Sequence, residues 1–204
     1  NNIFPLITEN TNVIFIANPN NPTGTIISHQ QLVNLLSNIP ENIIVVIDEA
    51  YCEYVTDKSF PNSPSLLAKH PNLIILRTFS KIYGLAGLRI GYGIMSSEMA
   101  AALKKNRIPF FMNSLAENAA IAALNDNKYI SSCVIQNSKE RDYLYKKLKQ
   151  SGFNVIPSQA NFLYLYFNSE EVKEKLFGKF IENGLLICNL KVFGQGKSLR
   201  ISMG

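Results

Sequence analysis

The chain has 204 residues, 47% of them hydrophobic and 17% charged, enough for one large core or two modest domains. Its net charge of +5 comes from lysines and arginines interleaved with glutamates, as in Lys139-Glu140-Arg141 and Glu171-Val172-Lys173-Glu174-Lys175, which is the pattern of solvated helix faces and argues against a nucleic-acid surface. No apolar run approaches a membrane span, residues 1–5 lack a signal-peptide core, and Cys52, Cys133 and Cys188 are too scattered for a disulfide framework or a metal pair, so a cytoplasmic protein is expected.

In chain order, Val13 to Ala17 predicts a strand. Asn18-Pro19-Asn20-Asn21-Pro22-Thr23-Gly24 follows it. Asn, Pro and Gly are turn formers, so this word reads either as a tight turn or as a site with Asn21 as a donor at the sheet's carboxyl edge. Ser28 to Asn38 predicts a helix capped by Ser28. The β-branched run Ile43 to Ile47 predicts a strand buried on both faces, and Asp48-Glu49-Ala50-Tyr51 ends it. An aspartate at the end of a fully buried strand is costly to ionise unless it meets a cation, and a protonated pyridine nitrogen would be one. The plainer reading of Asp48 is an N-cap at a strand-to-helix turn.

Ser65 to Lys69 predicts a short helix, and Leu73 to Leu76 and Arg89 to Met95 two more strands. This alternation predicts a mostly parallel sheet covered by helices. Lys81 falls in the loop beyond the third strand, where open α/β sheets place their ligands. Thr78, Ser80 and Arg89 surround it with hydroxyls and a guanidinium, equipment suited to holding a phosphorylated aldehyde while a lysine forms a Schiff base with it.

The pattern changes near Asn113. One long helix or two are expected from Ser114 to about Gln150, closed by Ser151-Gly152. Strands at 154–157 and 160–167, a helix at 170–183 closed by Gly184, and strands at 185–188 and 199–203 complete the reading. The expected division is a large-domain part at 1–113, an interdomain helical segment at 114–150 and a smaller α+β domain at 151–204. The chain has no convincing start and stops at Gly204 directly after a strand, so a longer parent protein is expected.

Asn21, Asp48, Tyr51, Lys81 and Arg89 thus stand, in that order, at or just beyond predicted strand ends. The Asn-Pro-Thr-Gly turn at 21–24, Asp48-x-x-Tyr51, and Ser80-Lys81 with Arg89 eight residues later resemble fold-type I, pyridoxal-phosphate-dependent aminotransferases. NPNNPTG at 18–24, RTFSKIYGLAGLRIGY at 77–92, PFFMNSLAENAAIAAL at 109–124, PSQANFLYLYF at 157–167 and LRISMG at 199–204 are similar to histidinol-phosphate aminotransferases among them.

The resemblance implies an α/β transferase fold, a homodimer, pyridoxal 5'-phosphate as cofactor, and a phosphorylated amino substrate with glutamate and 2-oxoglutarate as the second pair. It implies that Lys81 binds the cofactor covalently and shuttles a proton. Asp48 would pair with the pyridine nitrogen, and Asn21 and Tyr51 would bond the ring's 3-oxygen. Thr78, Ser80 and Arg89 would hold the phosphate. Arg200 would grip the substrate carboxylate, with Asn161 lining the same pocket.

One position departs from the family. Where it carries an arginine that contacts the substrate phosphate, this chain has Cys188, which cannot supply a charge-assisted contact; Lys191 or Lys197 would have to substitute. That departure keeps open a related enzyme on another phosphorylated amino acid or amino alcohol, including a threonine-phosphate-type decarboxylase. A cofactor-binding sensor domain of a transcription regulator is the reading from another class.

Overall fold

The computed structural model describes residues 3–108 and 111–203. Residues 1, 2, 109, 110 and 204, which belong to the expected domain ranges and to two of the quoted words, lie outside the described residues.

A first sheet is built from β1 (Val13–Ala17), β2 (Ile44–Asp48), β3 (Leu73–Thr78) and β4 (Gly91–Met95), in that spatial order. The first three strands are parallel and β4 returns antiparallel to β3. On one face, Ile14, Val45, Ile47, Leu73 and Ile75 pack against Leu32 and Leu36 of α1 (His29–Ser37). Ser28 caps α1 as expected: its hydroxyl accepts from the Gln31 amide while the Gln31 side chain accepts from the Ser28 amide, a reciprocal capping box.

The elements differ from those expected at three places. The helix expected at 65–69 is a 3₁₀ turn at Ser63–Leu66, with Pro64 at its start. The strand expected from Arg89 begins only at Gly91, because Arg89 takes a left-handed backbone (φ 51°) that turns the chain back along β3. Helix α2 (Ser97–Lys105), capped by Ser96, was not read at all, since it is short and carries no buried residue.

The helical stretch after Asn113 is two helices, α3 (Ser114–Asn125) and α4 (Asn127–Gln150). Asp126 divides them; its side chain accepts from the Tyr129 amide and starts α4 afresh. At the other end of α4, Gly152 takes φ +82°. The Gly152 amide reaches the Lys149 carbonyl and the Phe153 amide the Leu148 carbonyl, a Schellman closure.

The second sheet is wholly antiparallel. Its strands are β5 (Asn154–Ile156), β6 (Phe162–Tyr166), β7 (Cys188–Asn189) and β8 (Ser198–Ser202), in the order β5-β6-β8-β7. Val155, Leu163, Leu165 and Leu199 form its buried face, with Leu176 and Phe177 of α5 (Glu170–Glu182) and Leu144 and Leu148 of α4 packed on it. The strand expected at 185–188 shrinks to Cys188–Asn189, because only these two residues find partners on β8. Leu186 stands 91% exposed. A parallel-rich sheet followed by an antiparallel one with helices is the α/β architecture expected.

Candidate functional site

The word 18–24 forms the tight turn that is one of its two readings. Asn18 is fully buried, and its side chain accepts from the Ile27 amide at 2.9 Å and donates to the Ile27 carbonyl. Asn20 donates to Thr23 Oγ1 at 2.7 Å. These bonds hold the turn and leave Asn21 to face outward. Gly24 is at φ +72°, and a β-carbon there would collide with the Ser158 side chain, so only glycine lets this turn approach the second sheet.

At the end of β2 the argument from burial was placed one residue early. Asp48 is exposed, and its Oδ1 accepts from the Ala50 amide at 3.0 Å, a local turn bond and not the N-cap of the plainer reading, since Tyr51 stands at the start of the short 3₁₀ turn at Cys52–Tyr54. The buried acid is Glu49, whose side chain is wholly enclosed and meets a cation of the protein itself. Arg77 Nε and Nη2 both donate to Glu49 Oε2, at 3.0 and 2.8 Å. Strand alternation explains the split: Asp48 faces the open side of the sheet and Glu49 the core. Tyr51 is buried and packs edge-on against Phe162 with ring centroids 5.1 Å apart. Burial pushes the thiol of the neighbouring, half-buried Cys52 upward, which disfavours its thiolate.

Lys81 lies three residues beyond β3, and its Nζ stands 5.2 Å over the Tyr51 ring. The loop around it is a built structure. Phe79 and Ile90 are buried against Ala116 and Ala120 of α3, and Ile82 joins Tyr51, Tyr54 and Phe162. Thr78 Oγ1 accepts from the Ser80 amide at 3.1 Å. Arg89 Nη1 donates to Ser80 Oγ at 3.3 Å and to the Ala86 carbonyl at 2.7 Å. Arg89, expected as the first residue of a strand, precedes β4 instead; the antiparallel sense of β4 brings that end to the same sheet edge. A left-handed arginine is uncommon backbone, costing roughly 1–2 kcal/mol, and it stands beside the hydroxyl groups of Thr78 and Ser80.

Three cavities meet at Lys81. One of about 380 Å³ is lined by Asp48, Thr78, Ser80 and Arg89. One of about 230 Å³ is lined by Asn21, Asp48 and Tyr51. One of about 300 Å³ opens toward α4 and is lined by Tyr54, Tyr129, Asn137 and Asn161. Burial pushes the Tyr54 phenol up to about 12, so it enters that cavity as a neutral hydroxyl.

The second sheet contributes Arg200, in the middle of β8. Its Nη1 donates to Asn21 Oδ1 at 2.6 Å, and its guanidinium lies 5.0 Å from the Phe162 ring centroid. Its Nε is buried without a partner in the protein. Arg200 is not among the residues lining the cavity that holds Asn161, so the two flank Phe162 rather than share one lining. Cys188 is the cross-strand partner of Arg200. Lys191, one of the two suggested substitutes for its missing charge, is engaged by Glu170 at 2.7 Å.

The sequence reading overlooked Gln159. Its backbone amide donates to the Gly24 carbonyl, and its Oε1 accepts from the Thr56 amide, the Thr56 hydroxyl and the Asp57 amide. It ties the stretch between β5 and β6 to the site turn at 18–24 and to the loop at 56–57. The word PSQANF held the only signal, and a glutamine in a loop gives no hint of so many donors converging on it.

Residues 3–204 match the family model Aminotransferase class I and II. The chain is 41% identical over 198 residues to a histidinol-phosphate aminotransferase of Geobacillus sp. strain WCH70, covering 97% of this chain and 54% of that protein. It is 43% identical, with the same coverage, to that of Bacillus subtilis strain 168. The chain therefore spans about half the length of the curated relatives it matches. Among solved structures it superposes on histidinol-phosphate aminotransferase from Sinorhizobium meliloti in complex with pyridoxal-5'-phosphate, with TM-score 0.86 and 32% identity over 96% of this chain and 53% of the other. The corresponding values for the Clostridium acetobutylicum enzyme are 0.84, 30%, 94% and 58%. The lysine loop, the strand-end aspartate and the asparagine–arginine bridge thus stand on a chain that belongs to the class I and II aminotransferases.

Proposed function

We propose that the parent protein is a pyridoxal 5'-phosphate-dependent aminotransferase that interconverts histidinol phosphate and 2-oxoglutarate with imidazole-acetol phosphate and glutamate, in histidine biosynthesis. The observation that carries this reading is the exposed Lys81 amine at the junction of cavities lined by a carboxylate on one side and by Thr78, Ser80 and Arg89 on the other. The likeness to proteins named for that reaction supports the choice of substrate.

The residues present fit the cofactor. Thr78, Ser80 and Arg89 form a donor cup suited to a phosphate, and Asp48 offers a carboxylate across the same cavity. When bound, the cofactor supplies an electron-withdrawing ring that draws charge from the substrate α-carbon. Lys81 Nζ would attach it and carry the proton at the α-carbon. Asp48 would hold the ring nitrogen charged, and Asn21 and Tyr51 would orient the ring. Arg200 would receive the carboxylate of the amino donor on its guanidinium fork, held in place by Asn21 and Phe162. Asn161 would line the substrate side of Lys81.

A domain division at 1–113, 114–150 and 151–204, a homodimer and a cytoplasmic location complete the proposal. No helix among the described residues is long and apolar enough to cross a membrane. A second reading, decarboxylation of a phosphorylated amino acid, rests on the neutral Cys188 beside Arg200. Incubation of the full-length protein with histidinol phosphate and 2-oxoglutarate, and separately with threonine phosphate, tests both readings. Glutamate formed in the first mixture supports the first reading, and carbon dioxide released in the second mixture with no glutamate formed in the first sinks it.

A further inference from the structure

We propose that the buried Glu49–Arg77 ion pair is a positioning clamp that fixes the distance between the two ends of the cofactor site from the reverse side of the sheet. This rests on reading the site as one for pyridoxal 5'-phosphate. Asp48 and Leu76 are paired across β2 and β3, and Thr78 lies two residues further on, so by alternation Asp48 and Thr78 share the open face. Their sequence neighbours Glu49 and Arg77 project to the opposite face and meet there, with two donors of Arg77 on the single oxygen Oε2.

Each partner is one peptide unit from a group that would hold the cofactor. Glu49 adjoins Asp48, which would take the ring nitrogen, and its own amide is bonded to the Leu76 carbonyl at 2.9 Å. Arg77 adjoins Thr78, whose hydroxyl accepts from Ser80, whose hydroxyl in turn accepts from Arg89. The pair therefore ties the carboxylate end of the site to the phosphate end, and a ligand spanning both would feel any change in their separation.

A purely stabilising role explains the pair poorly. Buried ion pairs are often matched or exceeded in stability by apolar residues of similar volume, because desolvation offsets the attraction. This one even leaves Glu49 Oε1 buried without a partner. What apolar side chains cannot supply is a fixed, directional link between two strand ends. Glu49 is wholly enclosed and so acts on the cofactor only through its neighbours, while Arg77 keeps a quarter of its side chain exposed.

The test is a double-mutant cycle in the full-length protein with Glu49→Gln, Arg77→Lys and the double variant, all volume-conserving so that the fold is retained. Binding of pyridoxal 5'-phosphate and of pyridoxal, which lacks the phosphate end, is titrated on each, alongside thermal unfolding. The clamp predicts that each single variant loses roughly tenfold or more affinity for pyridoxal 5'-phosphate. The double variant would lose no more than either single, and pyridoxal affinity would stay within about twofold throughout. Additive losses, or equal losses for both ligands tracking a lower Tm, overturn the clamp while leaving the site reading intact. Failure of the unaltered protein to take a borohydride-fixed pyridoxyl label on Lys81 overturns both.

Discussion

The first sheet presents its candidate residues at strand ends and in the loops that adjoin them, at 18–24, 48–51 and 78–89, while the second presents Arg200 from the middle of a strand, flanked by Tyr164 and Cys188 in register. The first arrangement lets each loop carry its own chemistry on a rigid floor. The second fixes a guanidinium to a strand paired on both sides, from which it bonds Asn21. Chemistry is thus divided between loops that can be shaped one at a time and a strand whose side chain is placed by the whole sheet.

The most severe way to break that division is Lys81→Ala, expected to abolish both transamination and borohydride-fixed labelling by pyridoxal 5'-phosphate, with the fold unchanged by circular dichroism. Arg200→Gln attacks the strand-borne side. Loss of a charge-assisted contact of about 2–3 kcal/mol should lower kcat/KM for the amino donor by roughly a hundredfold, mostly through KM, while labelling of Lys81 persists. Gln159→Ala removes one of the ties between the two sheets, its side-chain bonds to residues 56 and 57, without touching either group. Because Thr56 and Asp57 are exposed and water can meet their donors, the loss should cost only about 0.5–1.5 kcal/mol of stability in denaturant unfolding, with a smaller fall in activity. Arg89→Gly sharpens the loop side most finely. Relief of the left-handed backbone should offset part of the lost hydrogen bonds, so stability should change by less than about 1 kcal/mol while phosphate-end affinity falls.

How much of this was legible can be judged residue by residue. Lys81, Asn21 and Tyr51 follow strands with strong β-branched or apolar runs, and sequence reading places them correctly at the sheet edge. Asp48 was chosen for burial, yet Glu49 is the buried acid, because a continuous apolar run does not say which face its last residue takes. Arg89 was read into a strand, since a left-handed arginine has no signature in composition. β7 was overextended because apolar Leu185 and Leu186 pass for a strand until the lack of a partner is seen. Gln159 escaped because its role exists only when two segments more than a hundred positions apart are brought together. Local grammar is written in the chain; convergence is not.

The return of β4 along β3 has a thermodynamic consequence. Thr78 and Gly91 are cross-strand partners, so both ends of the segment 79–90 are tied to one point of the sheet. Closing a loop costs chain entropy, and here that cost is met when the sheet forms. Within the segment, Phe79 accepts from the Leu85 amide and donates to the Ile90 carbonyl, which subdivides it further. A ligand arriving at Lys81 therefore meets a loop already closed and has little left to order. Amide hydrogen exchange in 79–90 should accordingly be slow before any ligand is added, and only slightly slower afterwards.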